Sequence, residues 1–104
     1  MAIIVNEDTL MSDAVEKMKS EQSRLIFVID DDKKLVGVIS QGDILKLPKL
    51  SIPINACMEM NPVYLFEKDR NLALDILKKY QFSELPILSE QFKILEVLSI
   101  WELV

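Results

Sequence analysis

A hydroxyl residue followed three positions later by an acid occurs twice in this chain, as Ser40-x-x-Asp43 and Ser99-x-x-Glu102. Each pair stands where an apolar run gives way to a short helical stretch. A serine at a strand end, directly before a helix, sets its hydroxyl beside free backbone N–H groups and the positive end of the helix dipole. That is a natural seat for a phosphate. An acid one turn further on faces the same side and can accept two hydrogen bonds from a ribose diol. Each such charge-assisted bond contributes on the order of 1.5–3 kcal/mol against leaving the partner unpaired. The same spacing also describes a plain helix cap, with Asp43 serving only the dipole. Catalysis has little to work with. The chain has no histidine, which removes the commonest general base, the Ser–His and Cys–His pairs and the histidine metal ligands. P-loop glycines and an acid pair at a recognisable spacing are missing too, so a small phosphotransferase or hydrolase is the disfavoured rival and no enzyme is expected.

The two pairs belong to a longer duplication with an offset of 59 residues. Ala14 meets Ala73, Lys19 meets Lys78, Gln22 meets Gln81, and the register holds through Val28/Ile87, Lys34/Lys93, Val38/Val97 and Ser40/Ser99 without a gap. A fixed period of this size marks two supersecondary units, each burying its apolar face against its twin. The 104 residues fit one domain, and a half of roughly 45 residues is marginal alone, so the repeats are expected to share a core. The formal charge of −5 argues against nucleic acid as a partner but leaves room for a small anion at a local site. The single cysteine, Cys57, excludes an internal disulfide and suits a reducing compartment. No apolar stretch reaches membrane-span length, and the start MAIIVNED lacks signal-peptide features, so a soluble cytoplasmic chain is expected.

The elements that must position the pairs follow from periodicity. Leu10, Ala14, Val15 and Met18 recur at helical spacing, predicting a helix over 10–20 with Thr9 as N-cap. Residues 25–29 and 35–39 read as the strands of a hairpin, with Asp30-Asp31-Asp32-Lys33 as its turn. A short helix opens at Gly42-Asp43-Ile44-Leu45 and stops before Pro48. The proline-rich residues 48–61 form a connector, with one helical turn over 54–58. The second copy is expected to begin with a strand over 63–66, then a helix over 71–80 with Leu72, Ile76 and Leu77 on one side. Strands over 84–88 and 94–98 follow, and a last helix starts at Trp101. Pro86 cannot donate to a ladder, so its position belongs at an edge or bulge.

The run Leu35-Val36-Gly37-Val38-Ile39-Ser40-Gln41-Gly42-Asp43-Ile44 resembles the strand-to-helix signature of CBS domains, whose form is Gly-hydrophobic-x-Thr/Ser-x-x-Asp/Asn. Leu85-Pro86-Ile87 resembles the family's Leu-Pro-Val strand, and Cys57-Met58-x-x-Asn61-Pro62 its linker into a second copy. The resemblance implies an α+β chain of tandem β-α-β-β-α repeats packed with pseudo-twofold symmetry. It makes residues 1–104 one CBS-pair (Bateman) module, with repeat one at about 1–47, a linker over 48–61 and repeat two over 62–104. It also implies a non-catalytic regulatory module that binds an adenine nucleotide of the AMP, ADP or ATP class in the cleft between repeats, with S-adenosylmethionine compatible with that site. No other cofactor and no metal is implied. A homodimer and an attached or associated catalytic domain are implied as partners. Gly42-Asp43-Ile44, Met58-x-x-Asn61-Pro62-Val63 and Leu95-Glu96-Val97-Leu98 are similar to CBS pairs placed before sugar-phosphate nucleotidyltransferase domains.

The residues read as ligand contacts are Ser40, Asp43 and Gln41 at the corner, Gly37 as an open path for the base, and Ile4, Ile26 and Val38 as its walls. Arg24, standing where the family often has a basic residue, is set to reach the phosphate. The second copy departs from this pattern. Glu96 replaces the glycine, Ser83 stands in place of Arg24, Glu84 adds charge, and Glu102 is one methylene longer than aspartate. Ser99 and Glu102 therefore make a weaker second site, where the cap reading is favoured. Arg24 also reads as an exposed charge between elements. Asp30–Asp32 lack the glycine and distal glutamate of a calcium loop and read as a solvated turn. Cys57, Met58 and Met60 read as apolar packing rather than a soft-metal site. Trp101 and Leu103 read as an exposed end or a partner contact. The rival to nucleotide binding is a ligand-free dimerisation or interaction module, which the eroded second site favours.

Overall fold

The structure, a computed structural model, describes residues 2–104; Met1, where the expected first repeat begins, lies outside them. The apolar run Leu25–Ile29 is strand β2, the middle of a three-stranded sheet. Strand β1 (Ile3–Asn6) lies parallel to it and β3 (Leu35–Ser40) antiparallel. A central strand is covered on both faces, which is why its sequence shows no polar alternation. Helix α1 (Met11–Glu21) connects β1 to β2 and lays Met11, Ala14 and Met18 on one sheet face, against Ile3, Val5, Ile26, Val28 and Ile39. Helix α2 (Gln41–Leu45) follows β3 without a break. A single 3-10 turn, Ile54–Ala56, inserts the fully buried Ile54 into the same core.

Helix α3 (Arg70–Tyr80), strands β4 (Glu84–Leu88) and β5 (Ile94–Ser99), and helix α4 (Ile100–Leu103) complete the α+β chain. β4 and β5 form an antiparallel pair over a second core of Ala73, Leu77, Leu85, Ile87, Leu98 and Leu103. The chain divides into two compact units, one reaching to Pro62 and the other spanning Val63–Val104.

The duplication extends to backbone detail. Among the described residues, the four non-glycine residues with positive φ fall into two pairs 59 apart: Gln22 (53°) with Gln81 (58°), and Lys33 (66°) with Phe92 (64°). The glutamines close α1 and α3 in the left-handed conformation. The other two sit in hairpin turns built alike. Asp30 Oδ1 accepts from the amides of Asp32 and Lys34, each at 2.9 Å, and Ser89 Oγ accepts from those of Gln91 and Lys93 at 3.3 and 3.2 Å. The acid at Asp30 thus shapes a turn in both copies' common geometry, the role a serine fills at Ser89.

Several expectations are corrected. The N-cap of α1 is Leu10, with no side-chain cap, rather than Thr9. The amides of Met11 and Ser12 instead donate to the carbonyls of Ile52 and Leu50 at 2.8 and 3.0 Å, so the connector supplies the cap. Leu72 is 45% exposed, because α3 is phased by Ala73 and Leu77 and adjacent helical positions point about 100° apart. Residues 63–66 form no strand; they make a single parallel bridge, Leu65 to Ile87. Leu65 donates to the Pro86 carbonyl at 3.1 Å and accepts from Leu88 at 2.8 Å. Extending that ladder toward Val63 would need an N–H from Pro86, which has none. Residues 48–62 do not hang between copies: Ile52, Ile54, Cys57 and Met58 join the first core, and Glu59 pairs with Val38.

Candidate functional site

The strand-to-helix corner Ser40–Asp43 is the site's geometric centre. Ser40 ends β3 in extended conformation and caps α2. Its hydroxyl accepts from the Asp43 amide at 3.2 Å, and Asp43 Oδ2 accepts from the Ser40 amide at 3.0 Å and from its hydroxyl at 2.9 Å. This reciprocal capping box satisfies two orphan helix amides locally, so the sequence pattern and the short helix explain one another. Both residues are half-buried. Among the described residues no donor engages Asp43 Oδ1. The expected row of free amides is shorter than foreseen. The Asp43 amide is held in the box, and the Gln41 amide donates to the Arg24 carbonyl at 2.9 Å. That bond ties the start of α2 to the foot of β2. Arg24 and Gln41 have exposed side chains beside it, and Arg24 makes no ion pair among the described residues.

The sheet separates the expected walls. Residues paired directly across strands share a face. Ile4 pairs with Phe27 and Phe27 with Val38, while Leu25 pairs with Ser40, so Ile4, Phe27, Val38 and Ser40 lie on one face. Ile26 pairs with Ile39 and Val28 with Gly37, which places Ile26 and Gly37 on the opposite face, under α1. Ile26 is fully buried in that core and cannot wall a ligand at Ser40. Gly37 is no open path either. A Cβ there would meet Met58 Sδ, Met58 Cγ at 2.7 Å and the Glu59 carbonyl at 3.0 Å, so the glycine makes room for the connector. The residue that sequence reasoning missed is Phe27, which stands between Ile4 and Val38 in the row. The parity of β2 relative to Ser40 could have revealed it. Phe27 and Val38 are buried, leaving Ile4, 40% exposed, as the accessible apolar member.

Cys57 is a second unforeseen neighbour. Burial pushes its thiol above the ordinary thiol value, and the charge of Asp43 raises it further. In the second unit the corner is built on the same frame but without the box. The Ile100 amide donates to the Ser83 carbonyl at 2.8 Å, matching Gln41 and Arg24. Ser99 Oγ accepts from the Trp101 amide at 3.3 Å, while Glu102 is exposed and makes no return bond to Ser99 among the described residues. Glu96, in the place of Gly37, is exposed and lies 3.9 Å from Lys68. Of the terminal apolar residues, Leu103 is in the core and Trp101 is 80% exposed. No described helix is long and apolar enough to cross a membrane.

Comparison with known proteins agrees with the fold. The sequence profile of the CBS domain matches residues 2–49. The transcriptional repressor CcpN of Bacillus subtilis is 28% identical over 104 aligned residues, covering 92% of this chain and 49% of the repressor. The chain therefore spans about half the length of that relative. Among solved structures, CBSX2 in complex with AMP has a TM-score of 0.86 at 23% identity, covering 98% of this chain and 84% of that one. A CBS-domain protein from Pyrobaculum aerophilum complexed with AMP has a TM-score of 0.81 at 17% identity, covering 97% of this chain and 82% of that one.

Proposed function

With residues 2–49 a CBS domain, we propose that this chain is a non-catalytic regulatory module whose Ser40–Asp43 corner binds an adenine nucleotide of the AMP, ADP or ATP class. The observation that carries the reading is the Asp43 carboxylate, half-buried beside Ser40 with Oδ1 left out of the capping box. The two ribose hydroxyls donate to Oδ1 and Oδ2. The Ser40 hydroxyl keeps accepting from the Asp43 amide and swings its proton from Oδ2 to a phosphate oxygen. Arg24, exposed at the same corner, supplies the positive charge, and Ile4 offers an apolar edge to the base. The AMP held by two proteins of the same fold supports this choice of ligand. Binding then adjusts an attached or associated protein, a sugar-phosphate nucleotidyltransferase being the candidate suggested by the linker and closing residues, with the module acting as a homodimer.

A second reading has its own observation. The capping box is complete without a ligand, and Met58 fills the space over Gly37, as expected of a ligand-free interaction module. Thermal shift with AMP, ADP, ATP and S-adenosylmethionine separates the two. A ligand at 100 times its dissociation constant adds about 2.7 kcal/mol of stability. Asp43→Ala is expected to lose about tenfold or more in affinity, which at the same ligand concentration removes about half or more of that gain. Silence from all four compounds at millimolar concentration favours the interaction module.

A further inference from the structure

We infer that the outer edge of β5, at Val97, accepts an extended polypeptide segment that presents a basic side chain to Glu96. The duplication shows what an occupied edge looks like. On β3 the amide and carbonyl of Val38 bond Glu59 at 3.0 and 2.8 Å, and Met58 lies over Gly37. Val97 is the counterpart of Val38, and its partner in β4 is Pro86. Pro86 has no N–H, and its carbonyl is turned away from β5 toward Leu65. Val97 and Pro86 are therefore a non-hydrogen-bonded pair, and the amide and carbonyl of Val97 point outward. Among the described residues nothing bridges that edge. The flanking surface is uncovered as well: Leu95 is 66% exposed and Glu96 is exposed, whereas their counterparts Val36 and Gly37 are half-buried and buried. A free strand edge beside exposed apolar surface is the surface that strand addition uses.

The occupant's chemistry follows from the one position where the two edges differ in kind. At β3 a methionine fills the place of a missing side chain. At β5 that place holds the Glu96 carboxylate, whose contact with Lys68 at 3.9 Å joins two largely solvated side chains and holds it weakly. A segment laid along β5 as residues 57–60 lie along β3 brings its Met58-equivalent residue to this carboxylate, and a lysine or arginine there is the complementary choice. The test uses two acetylated peptides of residues 55–62 carrying Cys57→Ser, one also with Met58→Lys and the other with Met58→Glu. They are titrated into the 15N-labelled chain. Saturable shifts centred on Val97, slowed exchange of its amide, and about tenfold or greater preference for the lysine peptide are expected. Val97→Pro removes only an outward N–H, at an edge position where proline is tolerated, and should abolish binding. Glu96→Lys keeps the backbone edge and should invert the peptide preference. The inference is overturned by the absence of saturable shifts at millimolar peptide, by shifts that map to β3, or by a lysine preference that survives Glu96→Lys.

Discussion

Asp43 holds the amide and hydroxyl of Ser40 with one oxygen and leaves the other unengaged among the described residues, so substitution can separate its two roles. Asp43→Asn keeps an acceptor for the Ser40 amide and removes the charge. Melting of the nucleotide-free protein should show a loss within the range of a weakened cap, about 0.5–2 kcal/mol. Calorimetric titration should show about a tenfold loss of nucleotide affinity. Parent-like affinity in this variant means the carboxylate does not hold the ribose. Cys57 reports on the same charge. Its thiol is raised first by burial and then by Asp43, so the folded state favours the neutral form. The associated stability is complete below the unfolded thiol value of about 8.5 and is lost as pH rises through the folded value. Cys57→Ala should flatten that alkaline decline in denaturation curves. Asp43→Asn should move the pH midpoint of thiol reaction with an aromatic disulfide downward, and an unmoved midpoint would show that the two groups do not interact. Ser40 and Asp43 were legible because a capping box is local. The partnership with Cys57 was not, since it joins positions that only the folded connector brings together.

Gly37 shows how a correct motif can carry the wrong reason. A missing side chain in a strand signals close approach of something, and sequence alone does not say of what. Here the connector approaches, with Met58 on the glycine and Glu59 in the ladder. Gly37→Ala should therefore destabilise by about 1–3 kcal/mol, the usual range for overpacking. Met58→Ala in the same chain should restore part of that loss, a coupling that a double-mutant cycle in urea measures. Additive losses would mean the two residues do not press on one another. The walls were misassigned for a related reason. A continuous apolar run such as Leu25–Ile29 hides its parity, so Ile26 was placed where Phe27 stands. By contrast the elements themselves were legible: both hairpins and all four helices fall where periodicity and turn residues put them. The missing strand over 63–66 traces to one residue, because Pro86 denies the ladder its next bond.

The offset of 59 survives in cores, hairpin turns and helix ends, which is why the α+β repeat could be read from the sequence. The connector's attachment could not be, because most of it consists of backbone bonds that leave no mark on residue type. The CBS profile ends at residue 49, yet the first unit runs to Pro62. Leu50 and Ile52 cap α1, Ile54 is fully buried in the core, and Glu59 closes the β3 edge. Burying Ile54 contributes about 1.5–3 kcal/mol, and each of the four backbone bonds about 0.5–1.5 kcal/mol. Against the small net stability expected of so short a unit, that sum decides whether it folds. A fragment of residues 2–62 should therefore keep substantially more helix by far-ultraviolet circular dichroism than residues 2–49, and should melt more cooperatively. Restoring residues 50–62 with Ile54→Ala should recover only part of the difference, because the backbone caps return without the buried side chain. If 2–49 and 2–62 give the same spectrum per residue and the same melt, the connector is a passenger and α1 holds its own N-terminus.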